Sequence, residues 1–207
     1  TARKGSGNLQ SGNKEETDEF YQRLLNGEEC TTTQAVSMTY YDLFRELLPQ
    51  ERPIIYISVS SALSASYASS LVAKKRILKE YPDADISVID SKGFCCGMEL
   101  LLDRAVEMRD AGRSKKEIIQ WLEKNKFKVI HWLLINNFEH LLKGGRVSPG
   151  PRFLFNMLDV TSLLHLDNKG QLWPVTKRRK KKKIIKKLIK RIFKEAVHPK
   201  EQTAVIS

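Results

Sequence analysis

Two clusters of hydroxyl side chains are the residues of this sequence best suited to binding a small anion. Residues 31–34 and 60–66, rich in Thr and in Ser respectively, each precede a segment whose hydrophobic pattern predicts a helix. Hydroxyls and backbone N–H groups at a helix N-terminus can converge on a carboxylate or a phosphate. Arg146, in a Gly-Gly-Arg loop, would add a charge-assisted partner. By spacing alone the simpler interpretation is favoured, in which these residues only cap helices.

Other reactive side chains lack the spacing of a catalytic or metal site. No G-x-S-x-G elbow, Walker loop or H-E-x-x-H motif is present. Gly93 and Gly97 predict a turn into a helix and not a dinucleotide site. We expect Cys95 and Cys96 to be small buried apolar residues, because a nucleophilic thiol needs an electropositive setting with a nearby base. We expect ordinary, partly exposed side chains at the four histidines, which are His131, His140, His165 and His198. No resident cofactor or metal is expected.

The elements that must position these residues alternate between strand and helix in the first part of the chain. Apolar, β-branched runs predict strands at 54–57 and 86–90, with helices before, between and after them. This alternation predicts a parallel sheet with covering helices, and functional loops then lie at the carboxyl ends of the strands. The segments 58–66 and 90–97 both have that placement. Ser114 and Glu117 predict a capping box for the helix that follows.

The pattern changes after residue 128. An apolar strand at 129–135, helical segments at 138–142 and 153–158, and a β-hairpin formed by 163–166 and 171–175 are predicted, and 203–206 reads as a last strand. We therefore predict an α/β fold, with a flexible lead-in at 1–13, a parallel-sheet N-terminal domain with flanking helices at 14–127, and an α+β second domain at 128–207.

Composition restricts the class of protein. At 41% hydrophobic residues the chain is in the globular range, and no apolar run approaches the roughly 18 residues of a membrane helix. The polar start has no signal-peptide core. Three cysteines (Cys30, Cys95 and Cys96) without C-x-x-C spacing indicate neither a disulfide framework nor a zinc site. We therefore expect a cytoplasmic protein.

The net charge of +12 comes from one segment. Residues 177–194 hold 12 of the 36 Lys and Arg residues and no acid, so the rest of the chain carries 24 residues of each sign. A distributed, histone-like basic surface is therefore excluded. Apolar residues within the segment recur at helical spacing, which predicts one apolar stripe with the cations opposite.

Several segments, taken in order, resemble the DegV family of bacterial fatty-acid-binding proteins. The resemblance covers about residues 20–207. The similar segments are Thr-Thr-Gln-Ala at 32–35, Ile-Tyr-Ile-Ser-Val-Ser-Ser-Ala-Leu-Ser-Ala-Ser-Tyr at 55–67, Val-Ile-Asp-Ser at 88–91, Lys-Gly-Gly-Arg-Val-Ser at 143–148 and Asn-Lys-Gly-Gln-Leu-Trp-Pro-Val at 168–175. Each motif is modest alone, but the ordered set is specific.

The resemblance implies a long-chain fatty acid buried between two domains. By position in the motifs, Thr32, Thr33 and Ser64, and also Ser61, would hold the carboxylate, with Arg146 near the head group. It further implies that the protein is not itself an enzyme. It would present the acyl carboxylate to a separate ATP-dependent fatty acid kinase, which makes an acyl phosphate for phospholipid metabolism.

The sequence also departs from the family pattern. Ala35, Ala62 and Ala65 replace the usual Pro, Gly and Gly, and alanine would strain a turn that needs a positive φ. The first strand of the family has no match, and family members continue past the position of Ser207. The chain therefore resembles a DegV protein truncated at both ends, with an incomplete second domain, and we expect such a piece to hold lipid less well than the intact protein.

Three interpretations of the basic segment 177–194 stay open beside a plain solvated helix. It could dock the kinase, with Arg178, Arg179 and Lys180 at the contact, or approach an anionic membrane transiently, or bind nucleic acid without sequence preference. Nucleic acid is the least favoured partner, because no base-reading motif accompanies the charge. The alternatives for the whole protein are a small α/β hydrolase or transferase that uses a serine of the 60–66 turn, and a nucleic-acid-binding module.

Overall fold

The computed structural model describes residues 2–4, 7–9, 14–29, 31–136, 138–147 and 160–206. In these ranges the α-helices are α1 (Lys14–Leu25), α2 (Ser37–Leu47), α3 (Ser66–Glu80), α4 (Cys95–Asp110), α5 (Lys115–Asn125), α6 (Glu139–Lys143) and α7 (Lys181–Glu195). The strands are β1 (Ala2–Lys4), β2 (Gly7–Leu9), β3 (Thr31–Thr32), β4 (Ile54–Ser58), β5 (Ile86–Asp90), β6 (Trp132–Ile135), β7 (Thr161–Leu166) and β8 (Leu172–Arg178). Short 3-10 helices follow α2, α5 and α7.

Strands β4 and β5 form a parallel pair that is covered on both faces. They run in register from Ile54 opposite Ile86 to Ser58 opposite Asp90. Alternate side chains point to opposite faces, so Ile86 packs with aromatic residues of α2 and with α3, while Ile89 packs with α4 and α5. Burial of both faces explains why the two strand sequences are almost continuously apolar.

Strands β6, β7 and β8 form a second, antiparallel sheet in the order β6-β7-β8. The turn between β7 and β8 is closed by Asp167, whose Oδ1 accepts the N–H groups of Lys169 at 2.9 Å and Gln171 at 2.8 Å. Gly170 in this turn has a φ of +77°, which a residue with a Cβ adopts only with strain. The hairpin therefore follows from its turn sequence and its two apolar arms.

A shared apolar cluster joins the two sheets. Phe138, Val147, Leu164, Leu166 and Leu172 are buried together. Against this cluster pack Leu63, from the loop after β4, and Phe94, from the loop after β5. The loops at the carboxyl end of the parallel pair are therefore held directly against the antiparallel sheet.

The predicted fold class is confirmed: a parallel pair with helices on both faces is followed by an α+β arrangement built on an antiparallel sheet. The predicted capping box also forms, because Ser114 Oγ accepts the N–H of Glu117 at 3.3 Å and the Glu117 carboxylate accepts the N–H of Ser114 at 2.8 Å. The predicted helix at 153–158 lies outside the described residues.

Two predicted elements need correction. The basic helix, expected at 177–194, begins only at Lys181, because Lys177 and Arg178 pair with β7 as the end of β8. The expected strand at 203–206 is wrong: no described strand pairs with these residues, so they form no regular element. The described residues of the segment 1–13 form β1 and β2, and β1 pairs antiparallel with β2 and with β3.

Candidate ligand-binding site

The candidate site begins where β4 and β5 end side by side. Because the two strands are parallel and Ser58 lies opposite Asp90, the loops that follow them emerge at the same edge of the sheet. Backbone hydrogen bonds join the loops, with Ser60 N donating to Gly93 O at 2.8 Å and Ser91 N donating to Ser58 O at 3.1 Å. The predicted placement of the loops 58–66 and 90–97 at this edge is confirmed.

The carboxylate of Asp90 binds the serine-rich turn, which comprises residues 60–66. Its Oδ1 accepts the N–H groups of Ser61 at 3.2 Å and Lys92 at 3.1 Å, and its Oδ2 pairs with Lys92 Nζ at 2.8 Å. Burial alone would raise the pKa of the Asp90 carboxyl, but the hydrogen bonds from Lys92 and Ser61 outweigh it and hold the pKa below its ordinary value. Asp90 is therefore an ionised anchor at the base of the turn.

Ser61 and Ser64 lie in the same turn but have different partners. Lys92 Nζ donates to Ser61 Oγ at 3.0 Å. Ser64 Oγ accepts the N–H of Ser66 at 3.2 Å and lies 2.9 Å from Ser66 Oγ. Ser64 Oγ therefore bonds the first residue of α3, whereas the N-cap residue itself, Ala65, makes no side-chain cap bond. These two contacts leave the Ser64 hydroxyl one further hydrogen-bonding position, either the donor or a lone pair.

Arg146 reaches the same turn from the Gly-Gly-Arg loop. Its Nε donates to Leu63 O at 3.3 Å, and its Nη1 donates to Gly144 O. This contact joins two residues that are 83 positions apart in the sequence. It brings an exposed guanidinium beside the turn that contains Ser61 and Ser64. Three of the predicted site residues are thus brought into one neighbourhood.

The threonine-rich segment takes part in a different strand pairing. Thr32 ends β3, whose partner is β1, and Thr33 follows with an exposed side chain. No hydrogen bond among the described side chains joins Thr33 to Ser61, Ser64 or Arg146. An ion pair between Lys143 Nζ, at the end of α6, and Glu29 Oε1 at 3.2 Å joins the chain before β3 to the chain before Arg146.

A buried hydroxyl fastens the hairpin turn to the serine-rich turn. Ser60 is fully buried, and its Oγ donates to Gly170 O at 2.9 Å. A Cβ added at Gly170 would stand 2.1 Å from Ser60 Oγ, so only glycine allows this approach. Ser60 is therefore used in the contact between the two turns, whereas Ser61 is exposed and Ser64 half-buried.

Two predictions about reactive side chains were wrong. His131 is 9% exposed rather than partly exposed, because it is enclosed between Phe94, on which it stacks, and Gly97. Cys95 is exposed and Cys96 half-buried rather than both buried, because the chain turns into α4 at the surface there. Burial and then Cys96 raise the pKa of the Cys95 thiol, which disfavours a nucleophilic thiolate.

The other histidines and cysteine are less informative. His165 is half-buried and His198 exposed, whereas the side chain of His140 and all of Cys30 lie outside the described residues. Among the described residues, no group of three His, Cys, Asp or Glu side chains could hold a metal ion. In the same part of the chain, no helix is both long and apolar enough to cross a bilayer.

Comparison with known proteins identifies the family. Residues 5–207 match the family model described as "Uncharacterised protein, DegV family". The chain belongs to the DegV family. A DegV domain-containing protein of Clostridium perfringens is 36% identical over 188 residues, which are 91% of this chain and 65% of that protein. The chain thus spans about two thirds of the length of the DegV relatives that it matches.

Two solved structures with the same fold carry fatty-acid names. A stearic acid-binding protein from Eubacterium ventriosum has a TM-score of 0.75 and 26% identity, over 86% of this chain and 61% of that one. The Fatty Acid Kinase B3 protein of Streptococcus pneumoniae, loaded with linoleic acid, has a TM-score of 0.75 and 21% identity, over 86% of this chain and 62% of that one. At the second identity the likeness concerns the DegV fold alone.

The residues that sequence reasoning missed are Asp90 and Lys92. Their signal was available, because Asp90 ends a predicted parallel strand and Lys92 follows it in a loop at the functional edge. What the sequence could not supply is the side-chain geometry that joins Lys92 to Ser61.

Proposed function

We propose that this chain forms the head-group site of a DegV protein that binds a long-chain fatty acid and has no catalytic activity of its own. The acyl chain would lie between the parallel-sheet part (14–127) and the antiparallel-sheet part (128–207). The carboxylate would be held by hydroxyls at the edge of the parallel pair and by one guanidinium. The residues proposed to bind the carboxylate are Thr32, Thr33, Ser61, Ser64 and Arg146.

The observation that carries this proposal is the contact between Arg146 and the carbonyl of Leu63. It puts a cation beside two hydroxyls in a turn whose apolar residue, Leu63, packs into the cluster between the sheets. A fatty acid needs this combination, since its tail gains about 25 cal/mol for each Å² buried and its carboxylate needs charged or hydroxyl donors. The stearic acid-binding neighbour, at 26% identity, supports the same ligand class.

The hydrolase alternative is opposed by the environment of the turn. Ser60 is buried and donates to a backbone carbonyl. The basic group next to Ser61 is Lys92, which pairs with Asp90 and donates to Ser61, so it is not arranged to accept the serine proton. A binding role for this turn needs no such base.

We further propose that the bound acid is presented to a kinase in the cytoplasm. Arg178, Arg179 and Lys180 are exposed at the junction of β8 and α7, where an acidic surface of a kinase would meet three consecutive cations. The fold likeness to a protein named as part of a fatty acid kinase system is consistent with this partner. The apolar side chains that α7 exposes also favour transient contact with an anionic membrane.

Native mass spectrometry of the purified chain tests the ligand. We expect a co-purifying or added long-chain fatty acid to be retained, and we expect Ser64→Ala and Arg146→Ala each to reduce retention about tenfold, the value of one charge-assisted hydrogen bond. Arg109→Ala is the control, because Arg109 is an exposed arginine paired with Asp110 on α4. Equal retention by all four proteins would refute the head-group assignment. A purified protein that contains no lipid and binds nucleic acid instead would refute the function.

The kinase contact has a separate test. Charge reversal at Arg178 should lower acyl phosphate formation by an added ATP-dependent fatty acid kinase while leaving lipid retention unchanged. An unchanged rate would contradict the docking assignment without affecting the ligand.

A further inference from the structure

Lys92 is a cation in direct contact with one of the hydroxyls proposed to bind the head group. Its Nζ donates to Ser61 Oγ at 3.0 Å and pairs with Asp90 Oδ2 at 2.8 Å. Its backbone adopts a φ of +53°, a conformation that costs a non-glycine residue energy and persists only where the surroundings impose it. Two cations therefore contact the same turn, Lys92 at Ser61 and Arg146 at Leu63.

The hydrogen-bond capacity of these groups leaves donor capacity for a ligand. An ammonium has three N–H donors, and in the described structure those of Lys92 have two partners, Asp90 and Ser61. Ser61 Oγ accepts from Lys92, so its own hydrogen is a donor, which is shared with Asp90 because the Ser61 side chain also bonds that carboxyl. One N–H of Lys92 is thus available to a ligand, and the Ser61 O–H, polarised by Lys92, can be shared with a head group.

The ion pair presents its cation to the outside. The side chain of Lys92 is 26% exposed and that of Asp90 only 9%. The carboxylate of Asp90 is also occupied from the protein side by the backbone N–H groups of Ser61 and Lys92. An approaching head group would therefore meet the ammonium before the carboxylate.

We propose that Lys92 makes this site selective for an ionised lipid head group over a neutral one with the same acyl chain. The proposal rests on the proposed fatty-acid binding and adds a specificity residue to it. Lys92 acts on the head group by one direct N–H donor and by fixing Ser61 as a hydroxyl donor. Both interactions are strong with a carboxylate and weak with an alcohol, because hydrogen bonds to a charged acceptor are about twice as strong as neutral ones.

The experiment compares the binding of stearic acid and octadecan-1-ol to the whole chain at neutral pH, with each lipid supplied from phosphatidylcholine vesicles. Wild-type protein should prefer the acid. Lys92→Met should weaken acid binding about tenfold or more and change alcohol binding by less than about twofold. Lys92→Arg keeps the charge and should restore most of the preference.

The chain offers a matched control in Lys115→Met. Lys115 is also a lysine of low exposure whose Nζ pairs with an aspartate, Asp85, but that pair stands before the first residue of β5, at the opposite end of the strand. Its loss should leave both affinities unchanged. In a Ser61→Ala background, Lys92→Met should have a smaller effect than in the wild type, because part of its action runs through Ser61.

The outcomes separate this inference from the proposed function. If the wild type binds stearic acid and Lys92→Met binds it equally well, or loses acid and alcohol binding in equal proportion, the role of Lys92 is wrong and the function stands. If the wild type binds neither lipid, both are wrong. Should Lys92→Met fail to fold, Lys92→Gln and Lys92→Arg take its place. A preference for the acid that is lost in Lys92→Gln and kept in Lys92→Arg supports the inference. An equal preference in the two variants overturns it.

Discussion

The imidazole of His131 lies so close to Gly97 that a Cβ at that glycine would stand 1.9 Å from Nε2. His131 precedes β6 of the antiparallel sheet, and Gly97 is in the first turn of α4, which covers the parallel pair. The ring also stacks on Phe94 with centroids 5.6 Å apart. The stacking of His131 on Phe94 therefore joins the segment before β6 to the start of α4. This contact requires a residue without a side chain at position 97.

Gly97→Ala should destabilise the protein. Alanine normally stabilises a helix interior relative to glycine by up to about 1 kcal/mol, but here the added methyl group would collide with His131, and such overpacking costs about 1–3 kcal/mol. Urea unfolding measures the difference. In a His131→Ala background the collision is removed, so the same substitution should become neutral or stabilising. An equal loss of stability in both backgrounds would contradict the contact.

The burial of His131 should make stability depend on pH. Burial is the main cause that lowers the pKa of His131. The hydrogen bond between His131 and Val129 O raises this pKa, whereas the nearby His165 lowers it further. Burial is also the main cause that lowers the pKa of His165. Lys92, Lys126 and Asp167 line the same depression as His131. The unfolded chain then binds a proton below about pH 6.5 that the folded chain does not. Stability should be complete above that pH and fall as the pH is lowered.

The measurement is the free energy of unfolding at pH 7.5 and pH 5.5 for the wild type and His131→Phe. Each such histidine contributes a slope of at most about 1.4 kcal/mol per pH unit. The variant should therefore lose less stability than the wild type over this interval. A larger or equal loss in the variant would show that His131 is not a source of the dependence.

Gly170→Ala should cost more stability than Gly112→Ala. Both glycines have a positive φ, +77° and +74°, so alanine is strained at each to a similar extent. Only at Gly170 would the new Cβ meet another atom, Ser60 Oγ at 2.1 Å, whereas nothing lies within 4 Å of it at Gly112. The excess, measured as the difference in thermal unfolding midpoint, reports the contact between the hairpin turn and the serine-rich turn. Equal shifts would contradict it.

The exposed apolar face of α7 should bind anionic vesicles. Ile189 is 47% and Phe193 65% exposed on a helix rich in lysine. Such a helix can lie in a membrane interface, with each basic residue near an anionic surface adding about 1 kcal/mol. Co-sedimentation with vesicles that contain phosphatidylserine should decrease in the double variant Ile189→Ser/Phe193→Ser and at high salt. Leu25→Ser, at a leucine 78% exposed on α1, is the control and should have no effect.

The sequence predicted the elements that local chemistry controls. The β-branched runs at β4 and β5, the capping box of Ser114 and Glu117, and the hairpin turn after Asp167 all form, because hydrophobic period, capping residues and turn residues act within a few positions of the chain. The 207 residues also sufficed to place the hydroxyl-rich segment 60–66 at the edge where β4 and β5 end.

The predictions that failed depend on contacts between distant residues. Lys177 and Arg178 carry helix-like charge patterning but pair with β7, since a strand partner satisfies their backbone better than solvent does. His131 has no distinguishing sequence neighbours, and its burial comes from Phe94 and Gly97, more than thirty positions away. Periodicity carries no information about such partners.

For the candidate site, the amino-acid sequence determined which turns carry hydroxyls, that one loop carries Arg146, and where the positive charge is concentrated. The tertiary structure decided which of these groups meet. It joins Arg146 to Leu63 and Lys92 to Ser61, gives Ser60 to the hairpin turn, and leaves Thr33 exposed. The reason is physical: residue types and local spacing fix what a side chain can donate or accept, whereas its partner is set by the packing of sheets that are far apart in the chain.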